Sequence, residues 1–154
     1  MFLKKLVFFL LLAGLAVVQS QNIQAQSGDI DLDAITPDQL TKEAPLNQQD
    51  IDNFIKFMEV SAESIKAAQK DPENVNPNDF EKQVVKFIQD NKIPPTRMRY
   101  LMEKIQLTMV GLQNPDIIPK KGDGQDYLIP SAAEKKLIEV NMEKLMAALQ
   151  AALN

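Results

Sequence analysis

Between Pro94 and Asn114 the apolar residues Met98, Leu101, Met102, Ile105, Met109 and Leu112 recur at i, i+3, i+4, i+7, i+11 and i+14. That spacing gathers side chains onto one side of a 3.6-residue helix and onto no single face of a strand. Tyr100, Leu107 and Val110 fall on roughly the opposite side. The helix therefore has apolar surface to bury in two directions, which predicts it as the central element of an all-α fold.

Three further helices are legible around it. Asn47, with Asp50 three residues on and Leu46 placed to pack on Ile51, marks a helix start. The stripe Ile51, Phe54, Ile55, Met58, Ala62 and Ile65 carries that helix to about residue 69. After a break at Asp71-Pro72, Asn76-Pro77 opens a second helix to about 90, with Phe80, Val84, Phe87 and Ile88 inward. Ile93-Pro94 turns the chain into the central helix, 95–113, because a residue before proline is driven out of helical geometry. The last helix, 131–153, opens on the capping box Ser131-Ala-Ala-Glu134 and carries Ile138, Met142, Leu145, Leu149 and Ala152 as its stripe. Asn141 stands in that stripe where a polar side chain sets helix register or satisfies a loop. The fold class is all-α, a small bundle of four main helices over residues 46–154.

What precedes the bundle reads as a targeting segment and a leader. Lys4 and Lys5 form a positive start, Leu6 to Val18 is an unbroken apolar run, and small residues follow. That is the layout of a cleavable secretory signal over residues 1–25, too short to span a bilayer, with cleavage after Ser20 or Ala25. A periplasmic or secreted location follows, with no stable membrane span after cleavage. Residues 26–45 read as an acidic leader, flexible through Ala34. Its Asp29-Ile-Asp-Leu-Asp33 alternation lacks the spaced glycine and distal glutamate of an EF-hand loop. A short helical turn begins at Thr36-Pro37, where Ile35 and Leu40 can pack on each other.

Two missing residue types restrict the chemistry. The chain has no cysteine and no histidine. Serine–histidine and cysteine–histidine nucleophilic sites, cysteine/histidine zinc sites and carboxylate–histidine di-iron bundles are thereby excluded, as is anchoring through an acylated cysteine. The inward stripes carry almost no acid for a carboxylate pair to act from. The reading is of a protein that is not an enzyme and uses no cofactor and no metal. Loss of Lys4 and Lys5 with the signal takes the formal charge from −4 down by two to −6, which argues against a nucleic-acid partner.

Two sets of residues remain as candidates. The connection from Asn114 to Pro130 is longer than a compact domain ordinarily needs, and it carries Ile117, Ile118, Tyr127, Leu128 and Ile129 on either side of a polar tip. Those five are the expected contacts for a partner, another envelope or secreted protein. The function expected is that of an exported helical protein-interaction module, an assembly or chaperone-like accessory factor. The alternative is a carrier whose bundle holds a small apolar ligand against Met98, Met102, Met109, Met142 and Met146. Thioethers also hold Cu(I), but methionines set within helical stripes read first as flexible core filler.

Overall fold

The computed structural model of the chain describes residues 30–32, 34–70 and 77–153, with all of their side chains except those of 68, 69 and 77–81. The signal segment 1–25, the first part of the leader and the Asn76 cap lie outside these residues. Within them the fold is all-helical. A short α1 (Pro37–Leu40) is followed by α2 (Gln48–Lys70), α3 (Pro77–Asn91), α4 (Pro95–Gln113) and α5 (Ala132–Leu153). Two 3-10 turns, Pro115–Ile117 and Asp126–Leu128, punctuate the connection between α4 and α5.

The helix starts follow the capping chemistry of the sequence. The Thr36 amide donates to Gln39 Oε1 at 2.7 Å, the Asn47 amide to Asp50 Oδ2 at 2.8 Å, and the Ser131 amide to Glu134 Oε2 at 2.8 Å. In each case a side chain of the first turn closes an amide that the helix itself leaves open. The end of α3 is closed by backbone bonds, with the Asn91 side-chain amide also donating to Phe87 O at 2.9 Å. Ile93 N–H donates to Ile88 O at 3.0 Å and Lys92 N–H to Gln89 O at 3.3 Å, the paired bonds of a Schellman motif. Lys92 takes the left-handed position there, with φ 53°.

Helix α4 is central, as its two-sided apolar pattern predicts, and it touches every other element. Met98, Leu101 and Ile105 are wholly buried in its stripe. Lys104, Gln106, Thr108 and Gly111 are buried as well, because neighbours cover sides that the stripe alone leaves open. The most extensive pairing is between α2 and α5. Phe57 and Ser61 of α2 lie outside its stripe and are fully buried. At Phe57 the cover is α3, whose Phe87 ring meets it edge to face at 5.4 Å.

The described part of the leader lies against the bundle. Ile35 and Leu40 belong to the core, and Ile30 and Leu32 pack on it. Arg99 of α4 holds this segment by its main chain, donating to Leu32 O at 3.0 Å and Ile35 O at 2.9 Å. Where the sequence reads a flexible leader, Ile30 and Leu32 lie against the core and one guanidinium binds the carbonyls of Leu32 and Ile35.

Candidate functional site

Three helices begin in one corner of the molecule, and their first turns build its most highly charged buried cluster. Asp50, Arg97 and Glu134 are each the third residue of their helix, α2, α4 and α5. Arg97 donates from Nε to Asp50 Oδ1 at 2.9 Å and pairs through its second nitrogen with Asp50 Oδ2. It also reaches Glu43 at 3.4 Å and the carbonyl of Pro45 at 3.0 Å. Burial weakens the charged form of Arg97, but Asp50 and Glu43 outweigh it and raise the guanidinium pKa. Two turns on from Arg97, Lys104 Nζ lies 3.0 Å from Glu134 Oε1 and donates to the Tyr100 hydroxyl at 2.9 Å.

Tyr100 stands between the two cations, with Arg97 at 5.2 Å and Lys104 at 5.0 Å from its ring centre. Its hydroxyl donates to Glu134 Oε1 at 3.2 Å. Burial, and then the Glu134 charge, push the phenol pKa upward. Glu134 is the convergence point, because Leu46 N–H, from just before α2, donates to the same Oε1 at 3.0 Å. Burial pushes the Glu134 carboxyl up, yet the Leu46 and Ser131 amides and Lys104 together hold it below the ordinary glutamate value. Both of its oxygens are occupied. A carboxylate so engaged is a clamp between helix starts, with no lone pair turned to an open site.

This cluster is what the sequence reading missed. Periodicity gives no partner to Arg97 or Lys104, and the capping box accounts for only the local half of what Glu134 holds. The available signal was the run Arg97, Tyr100, Lys104 at i, i+3 and i+7, which puts two cations on the same side as a buried-type aromatic. Asn141 likewise finds its partner only in three dimensions. It exchanges amide hydrogen bonds with Gln48 at 3.1 Å in each direction and donates to Leu137 O at 2.9 Å, which fixes the α2–α5 register.

The connection is an ordered structure. Asp123 accepts from Lys120 N–H at 3.1 Å and Asp126 from Gly122 N–H at 2.7 Å. Gly122 and Gly124 take positive φ values of 95° and 77°, which glycine alone adopts freely. Of the five candidate contacts, Ile117 and Tyr127 pack on the core. The Tyr127 hydroxyl donates to Glu103 at 2.9 Å, and burial followed by the Glu103 charge raises its pKa. Ile118 sits over Gly111, where an added Cβ would lie 2.2 Å from its Cδ1. Leu128 and Ile129 are half-buried and stand outside the core cluster. The tip, 120–126, is exposed.

The methionines divide. Met98 is wholly buried and Met109 is 2 % exposed, while Met102, Met142 and Met146 are partly buried against the core. A cleft of about 400 Å³ opens between α4, the connection and the start of α5, walled by Leu112, Pro115, Ile118 and Pro130 with Thr108 and Lys135. None of the five methionines lines it. Among the described residues no group of three acidic side chains is placed to hold a metal ion, and no helix is long and apolar enough to cross a membrane. Comparison with family models, curated proteins and solved structures found no match to this chain, so a functional reading rests on its own residues.

Proposed function

We propose that the protein is an exported helical interaction module, an accessory factor that holds another envelope or secreted protein against the connection 114–130. The observation that carries the reading is the way this connection is presented. Asp123 and Asp126 close turns within it, Ile117 and Tyr127 anchor it to the bundle, and Leu128 and Ile129 are left half-buried beside an exposed tip. A long loop tied to its bundle while showing aliphatic side chains is the form a contact surface takes when ordering cost is met before binding. Export is supported by Lys4, Lys5 and the Leu6–Val18 run.

Photo-crosslinking side chains placed singly at Leu128, at Ile129 and at exposed Lys86 test this in the native envelope. The expected result is one discrete adduct from 128 and 129 that is missing from 86. It should be lost on Ile117→Asp or Ile118→Asp in a chain that stays folded by circular dichroism. Identical adduct patterns from all three positions would refute the contact role. The mass of the exported chain reads the cleavage point.

A further inference from the structure

We propose that the cleft between α4, the connection and the start of α5 is a binding site for a small aliphatic carboxylic acid. At about 400 Å³ it falls in the roughly 300–1,000 Å³ range of small-molecule sites. Leu112, Pro115, Ile118 and Pro130 make its walls aliphatic, and no aromatic ring lines it to favour a planar ligand. Two polar side chains of the lining have no partner among the described residues. Thr108 is 1 % exposed and its hydroxyl has no hydrogen-bond partner, a condition that buried polar atoms rarely keep without a ligand or water to satisfy them. Lys135 is the only charged residue of the lining and forms no ion pair among the described residues. Its neighbour Glu134, the nearest acid in sequence, is consumed by Lys104, Tyr100 and two backbone amides.

A cation with no counter-ion, in the first turn of a helix whose positive end adds to it, selects an anion. Aliphatic walls select what the anion is attached to. A carboxylate at the mouth meets Lys135, and the hydrocarbon body lies along Leu112 and the two prolines. Thr108 lines the same cleft, so its hydroxyl can donate to the second oxygen of the same carboxylate once the Ile118 side chain, which fills the room over Gly111, changes rotamer. This site is separate from the five-methionine lining that the sequence suggests for an apolar ligand. It also does not depend on the contact role of Leu128 and Ile129.

The probe is hexanoate, added to isotope-labelled protein as it accumulates in the expressing cell and followed by amide NMR. Saturable shifts are expected at Gly111, Leu112, Ile118 and Lys135, with hexanol producing none of comparable size. Lys135→Gln should weaken binding about three- to fivefold, the scale of an exposed ion pair. Thr108→Val gives two readouts of opposite sign. The free protein melts at a higher temperature because an unpartnered hydroxyl is gone, and hexanoate binds more weakly. Non-saturating shifts, equal shifts with hexanol, or binding unchanged in both variants would overturn the assignment. Stronger binding to a leucine-terminated peptide than to hexanoate would overturn the small-acid class in favour of a protein C-terminus.

Discussion

At the scale of single residues, the decisive group is Glu134, where one carboxylate closes its own helix, the approach to α2 and a buried lysine. Glu134→Gln keeps a side chain able to close the Ser131 amide, but it strips Lys104 of its counter-charge in a buried place. Breaking such a pair from one side costs on the order of 3 kcal/mol or more. Lys104→Met costs less, about 2 kcal/mol, because the Leu46 and Ser131 amides and the Tyr100 hydroxyl still serve the carboxylate. Combined, the two changes are expected to destabilise by at least ~1 kcal/mol less than their sum, since together they leave no orphaned charge. Urea unfolding of the four proteins measures this. The same group sets an acid limit. Its native pKa is lowered, so its contribution is complete above the unfolded glutamate value of about 4.3 and is lost as pH falls through the lower native value. Stability of the native chain should therefore fall below about pH 4.3 more steeply than that of Glu134→Gln. Parallel acid limbs would remove Glu134 from the account.

Among the elements, α4 and the connection meet at a glycine. Gly111 sits inside a helix, where alanine is favoured by about 0.8–1 kcal/mol, and its φ is not among the positive ones. The reason for glycine is the Ile118 side chain, 2.2 Å from where Cβ would stand. Gly111→Ala alone sets helix propensity against displacement of Ile118 and should change stability little or adversely. In an Ile118→Ala background the obstacle is gone, and the same substitution should stabilise by about 0.8–1 kcal/mol. A thermal double-mutant cycle reads that change of sign, and the same sign in both backgrounds would mean that Ile118 does not dictate the glycine. The helices themselves were legible because caps and stripes are local. Asn47 with Asp50, Ser131 with Glu134 and the Met98–Leu112 spacing state their element within a few residues. The seat of Ile118 on Gly111 was not legible, nor the pairing of Lys104 with Glu134 across 30 positions. Periodicity gives the face of a residue and nothing about which distant group faces back. For the same reason periodicity alone does not show that Lys104, 5 % exposed, is buried in a helix covered on every side.

For the whole molecule, the consequential question is where the folding unit begins. The capping signals suggest residue 46, whereas the packing carries the core back to residue 35 and its flank to residue 30. Leu40 is wholly buried although α1 is only four residues long. Such a helix has no stability of its own, so it exists because its side chain fills the bundle. Arg97 and Arg99 then hold the incoming chain chiefly through carbonyl groups, of Pro45 and of Leu32 and Ile35. Main-chain recognition of this kind tolerates side-chain change, while the aliphatic plugs do not. Leu40→Ala is accordingly expected to cost about 2–5 kcal/mol, the ordinary range for emptying a leucine site in a core. Leu32→Ala, on a half-buried position, should cost about 1 kcal/mol. A chain starting at residue 46 loses Ile35, Leu40 and the Glu43 partner of Arg97 together, and should melt well below a chain starting at residue 30. Calorimetry of those two chains distinguishes a leader that merely precedes the bundle from one that completes it. Equal melting temperatures would show that residues 30–45 ride on a core already closed without them.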